Sequence, residues 1–126
     1  MPHRRISLGS PYESVMGYCR AVVAGKHVYV SGTAPIMADG GDPPEGAYEQ
    51  TQRCLEIVLA ALEEAGAGAE DVVRTRVYVT GAEWFPDVAR AHREVFGDVR
   101  PVNTTVVTRL IDPRWKVEIE VEAVLP

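Results

Sequence analysis

Apolar residues recur along this chain with two different periods, and the change from one period to the other divides it into elements. From Ala47 to Ala65, the positions Thr51, Cys54, Leu55, Val58, Leu59 and Leu62 fall three and four apart, which predicts an amphipathic helix ended by a left-handed cap at Gly66. A second helical stripe joins Phe85, Val88, Ala89, His92, Val95 and Phe96 before Gly97, and Thr80 with Glu83 has the spacing of a capping box at its start. Elsewhere the period is two. Tyr18–Ala24 and His27–Ser31 predict a hairpin turning at Gly25-Lys26, and Val72–Thr80 alternates Val73, Thr75, Val77 and Val79 with Arg74, Arg76 and Tyr78. Two closing strands, about Asn103–Ile111 and Trp115–Leu125, flank the turn-forming Asp112-Pro113-Arg114, so an antiparallel hairpin is expected there. Between the first hairpin and the long helix, 33–46 collects prolines and glycines and reads as a loop.

The order ββ(β)αβαββ predicts an α+β domain with two helices on one face of the sheet. The opposite face then carries Glu118, Glu120, Glu122, Arg74 and Arg76 without a covering layer, which favours a homo-oligomer. Val117 to Glu122 alternates apolar and acidic residues without a break. Three carboxylates spaced roughly 6.5 to 7 Å along one strand face repel one another, so each needs water, an arginine or a chemical task. The strand therefore offers a catalytic candidate.

A chain of 126 residues with 46% hydrophobic and 25% charged residues suits one soluble domain spanning 1–126. No apolar run approaches a membrane span and no secretory pattern opens the chain, so a cytoplasmic location is expected. A net charge of -5 opposes the phosphate neutralisation on which nucleic-acid affinity depends. Cys19 and Cys54 stand apart, and with the three histidines they show no ligand spacing, so neither a disulfide nor a metal is expected. His92 falls in the helical stripe and reads as a packed neutral ring, and Ser31 has no evident histidine base to make it a nucleophile.

Four segments coincide in a further way: Tyr18, Val30-Ser31-Gly32-Thr33, Arg100-Pro101-Val102-Asn103-Thr104 and Lys116-Val117-Glu118-Ile119-Glu120. Together they resemble the YjgF/RidA family, also catalogued as L-PSP endoribonuclease-like, over about Gly17 to Val124. The resemblance implies a chorismate-mutase-like α+β fold, with a mixed six-stranded sheet and two helices on one face. It also implies a homotrimer with clefts between subunits, a small-molecule metabolite as partner and no cofactor. In members that hydrolyse enamines and imines, an arginine holds the substrate carboxylate and an acid of the final strand positions water. By that match Glu118 takes the acid's role, while Tyr18, Ser31, Gly32 and Thr105 join the substrate-binding positions.

The arginine itself is replaced by Asn103. An amide lacks the charged two-pronged contact of a guanidinium, which removes on the order of 1 to 2 kcal/mol or more from carboxylate binding. Arg20, two residues beyond Tyr18, is the alternative cation. The leading expectation is an imine hydrolase acting on an altered substrate class. A trimeric metabolite-binding protein without catalysis is the alternative, and an endoribonuclease is a third reading suggested only by the family's older name.

Overall fold

The computed structural model describes residues 3–126. Its centre is a six-stranded mixed sheet in the order β1-β2-β3-β6-β4-β5. The strands are β1 (Arg4–Ile6), β2 (Ala21–Ala24), β3 (His27–Thr33), β4 (Val72–Val79), β5 (Val102–Val107) and β6 (Val117–Val124). Helix α1 (Pro11–Met16) is short, whereas α2 (Ala47–Ala65) and α3 (Phe85–Phe96) are the two long helices read from the 3.6-residue stripes. Gly66 ends α2 at φ 88°, the left-handed cap that its position predicts.

The core lies between those helices and one face of the sheet. Leu55, Val58 and Leu62 of α2 and Val88 and Phe96 of α3 are buried with Val77, Val79, Val117, Ile119 and Val121. Strand β6 shows why the alternation is so regular. It lies between β3 and β4, antiparallel to both, so its apolar side chains are enclosed while its glutamates face the side without helices. That face also exposes Tyr29, Val102 and Val106, apolar groups among charges.

The closing hairpin does not form. β5 pairs with β4 in parallel, Thr75 opposite Asn103, and β6 runs instead through the middle of the sheet. Two facts about the sequence account for this: β6 has the buried alternation of an inner strand, and β5, mostly exposed along its length, suits an edge reached by the α3 crossover. Asp112-Pro113-Arg114 therefore turns the chain between strands that do not touch. Thr80 and Glu83 likewise make no capping box. A 3₁₀ turn over Ala82–Trp84 leads into α3, and the Thr80 amide donates to the Lys116 carbonyl, 3.0 Å away. The strand expected from Tyr18 starts at Ala21, because Gly17 at φ 84° first ends α1 and turns the chain. Cys19 and Cys54 are free thiols.

Candidate functional site

Strand β3 slips register between Val30, opposite Val121, and Thr33, opposite Ile119. A bulge of this kind lets the strand swing while both flanking residues keep facing the core. Gly32 stands in the slip, and a Cβ placed on it would lie 2.8 Å from Glu118 Oε2. The missing side chain is thus the space that the Glu118 carboxylate occupies.

The three acids of β6 meet different fates. Glu122 pairs with Arg74 at 3.7 Å and with Arg76 at 3.2 Å, and Glu120 pairs with Arg76 at 3.4 Å and accepts from the Tyr78 hydroxyl. Among the described residues Glu118 has no ion pair within 4 Å. Burial pushes its carboxyl above the ordinary glutamate range; the positive charge of Arg20 opposes the shift and the negative charge of Glu120 adds to it. A carboxylate held out of water in this way is a stronger base than a solvated one.

Arg20 is buried close by. One of its terminal nitrogens donates to the Gly32 carbonyl at 3.0 Å and to Thr33 Oγ1 at 2.9 Å, and the guanidinium carbon lies 5.6 Å from the centre of the Tyr18 ring. Ser31 donates from its hydroxyl to the Cys19 carbonyl at 2.7 Å, which ties the bulge to the segment carrying Tyr18 and Arg20. Tyr18, Arg20, Ser31, Gly32 and Glu118 are therefore one neighbourhood.

Asn103 and Thr105 belong to another. Asn103 donates from Nδ2 to Thr75 Oγ1 at 3.0 Å and accepts from Thr105 at 2.9 Å; Thr75 is in turn 2.9 Å from His92 Nε2 on α3. This network points to the helix side of the sheet, two strands away from β6, whereas Glu118 points to the open side. Burial lowers the pKa of His92, in keeping with the neutral packed ring expected of it. Within one chain, then, the five residues around Gly32 converge and the two on β5 do not join them.

Two residues were missed as partners of this neighbourhood. Glu13 approaches Arg20 Nε to 3.9 Å, and the Ser10 amide donates to Glu13 Oε2 at 3.3 Å. The signal was available: Ser10-Pro11-Tyr12-Glu13 has a helix-starting serine, proline in the first turn and glutamate three positions on. Among the described residues no three or more His, Cys, Asp or Glu side chains are grouped to hold a metal ion, and no helix is long and apolar enough to cross a membrane.

The family model described as "Endoribonuclease L-PSP" matches residues 9–125. An uncharacterized protein of Streptomyces coelicolor is 43% identical over 125 residues, covering 95% of this chain and 90% of that one. A crystal structure from Mycobacterium tuberculosis, described as a member of the highly conserved YjgF/YER057c/UK114 family, is 40% identical with a TM-score of 0.89, covering 98% of this chain and all of the other. Escherichia coli TdcF, solved with bound serine, is 25% identical with a TM-score of 0.82, covering 98% of this chain and 94% of that one. From the bulge at Gly32 to the acid-bearing inner strand, the chain belongs to the YjgF, or L-PSP endoribonuclease-like, family.

Proposed function

We propose that the protein, with residues 1–126 acting as one unit in the cytoplasm, hydrolyses enamines or imines of a small metabolite. The clefts would lie between the subunits of a homotrimer, and the substrate class would differ from that of amino-acid imines. The observation that carries this reading is Glu118, the one acid of β6 that is desolvated, left without an arginine within 4 Å and set against a glycine that makes room for it. Exposed Tyr29, Val102 and Val106 among the ion pairs of the open sheet face support self-association through that face.

The chemistry asks little beyond position. Water must add to the carbon of a C=N bond, the nitrogen must gain a proton, and the carbon–nitrogen bond must then break to release ammonia. Glu118 as the anion takes the proton of the attacking water and, once protonated, returns it to the leaving nitrogen. Tyr18 and the Ser31-Gly32 backbone would shape the recess, and a guanidinium at Arg20 would offset the charge of Glu118. Asn103, supplied by a neighbouring protomer, would contact a neutral group where an arginine would bind a carboxylate. This route needs no cofactor.

Ligand binding without turnover is the second reading. It is favoured by Asn103, whose amide is already engaged by Thr75 and Thr105, and by the serine bound in TdcF. A panel of imines with and without a carboxylate, offered to the wild type and to Asn103→Arg, separates the two. The hydrolase reading expects ammonia from carboxylate-free imines with the wild type and a carboxylated substrate gained only by the variant. Thermal stabilisation by the panel without ammonia from either protein would select the binding reading.

A further inference from the structure

The bulge that makes room for Glu118 is tied down by one residue. The Arg20 carbonyl accepts from the Ser31 amide at 2.9 Å, and one of its guanidinium nitrogens donates to the Gly32 carbonyl at 3.0 Å and to Thr33 Oγ1 at 2.9 Å. Those three residues span the register slip of β3. The Arg20 amide in turn donates to the Ile6 carbonyl at 2.8 Å, so the slip is fastened back to the strand beyond β2.

A guanidinium in this place carries a charge out of water, since its side chain is only 5% exposed, and a buried charge without a partner is strongly unfavourable. Among the described residues Glu13 is the one carboxylate within 4 Å of it, with Oε2 3.9 Å from Nε and a side chain 8% exposed. The contact is charge to charge. Neither Arg20 Nε nor Glu13 Oε1 has a hydrogen-bond partner within the protein. Other charges near α1 are matched elsewhere, Arg53 with Glu56 at 3.2 Å and Arg114 with Asp112 at 2.7 Å. Glu13 is itself fixed. Its carboxylate accepts from the Ser10 amide at 3.3 Å, and its carbonyl accepts from the amides of Gly17 and Tyr18 at 2.9 and 3.0 Å, which closes α1 and starts the segment carrying Tyr18 and Arg20.

We propose that Glu13, which does not touch the substrate, is a positioning residue for the Glu118 reaction: it cancels the charge of Arg20, so that Arg20 tethers the bulge without becoming the counter-ion of the base. The effect on turnover rests on the hydrolase reading; the effect on Glu118 itself does not. With Glu13 made neutral, the Arg20 charge acts uncompensated, and a nearby cation favours the ionised form of a carboxyl. Glu118 then becomes the weaker base. The other groups around it are common to every variant. Glu120 follows on β6 and pairs with Arg76, Tyr78 stands opposite on β4 and donates to Glu120, burial keeps the Cys54 thiol of α2 protonated, and Lys116 turns to the Glu45 carbonyl and the Trp84 ring. The bulge itself, Ser31-Gly32-Thr33, adds no titratable side chain.

Side-chain carboxyl NMR of Glu118 across pH, without substrate, tests this, with ammonia release from a carboxylate-free imine followed in parallel. Glu13→Gln is expected to move the Glu118 midpoint to lower pH and to reduce kcat by roughly two- to five-fold with KM unchanged, the response of a weakened base in an intact pocket. Adding Arg20→Gln should return the midpoint to the wild-type value or above it. Glu13→Asp keeps the charge but draws it back by one methylene, so it should move the midpoint the same way by less, and it decides the matter if Glu13→Gln does not fold. If no protein releases ammonia, the hydrolase reading fails and the midpoints alone judge the role of Glu13. A midpoint that stays or rises in the single Glu13 variants, or a drop that persists without Arg20, overturns the proposal.

Discussion

Two ends of one strand face carry the same residue in opposite circumstances. Toward the end of β6, Glu122 and Glu120 are held by Arg74, Arg76 and Tyr78 and remain partly open to solvent. Near its start Glu118 lies against Gly32 and is lifted by burial, with Arg20 as the nearest compensation. Chain position and residue type are thus nearly constant, and only the neighbours differ. The comparison shows that a period-two acidic strand does not by itself mark a catalyst; the adjacent strand's bulge selects which acid is removed from water.

The sharpest way to break the comparison is to remove one acid from each end. Glu118→Ala is expected to lower ammonia release by roughly 10² to 10⁴-fold, the usual contribution of a positioned base, while Glu122→Ala leaves the rate within a few-fold. Equal losses would erase the distinction. Gly32→Ala tests the geometry, since its methyl group would meet Glu118 Oε2 at 2.8 Å. The carboxylate must shift, and a rate loss of roughly ten- to a hundred-fold is expected with little change in melting temperature.

Smaller effects concern stability. Thr75→Val removes a hydroxyl that meets both Asn103 and His92, so chemical denaturation should show a loss of roughly 1 to 3 kcal/mol. Glu122→Gln disturbs only a partly exposed ion pair and should change stability by about 0 to 1 kcal/mol, less so at high salt.

Much of this was legible in the sequence, for reasons that can be stated residue by residue. The α2 stripe is long, amphipathic and closed by Gly66, so tertiary context had nothing to override. The alternation of β6 announced an inner strand with one buried face. The partner of β5 could not be read, because Val102–Val107 offers no clear buried face and its place is set by how α3 carries the chain across the sheet. The expected hairpin would have set Asn103 opposite Ala123 on β6, whereas the parallel register turns it toward Thr75 and His92. Tyr18, Ser31 and Gly32 were named from the family resemblance; Gly32 lies against Glu118, while Tyr18 meets Arg20 and Ser31 bonds to the Cys19 carbonyl. The bulge that brings Gly32 to the carboxylate, and the burial of Arg20 against Glu13, are tertiary facts that only a glycine in a strand and a charge in an apolar segment hinted at.

The central claim is that Glu118 is a desolvated base, and its own titration tests that most directly. Side-chain carboxyl NMR across pH should place its midpoint above the ordinary glutamate value of about 4.3, and the acid limb of ammonia release should follow the same midpoint. Because the folded-state pKa is the raised one, ionisation costs stability as pH rises through it. Glu118→Gln should therefore melt higher than the wild type at neutral pH and lose that advantage below the unfolded-state value. A Glu118 midpoint at or below the ordinary value, with no such gain, would contradict the account.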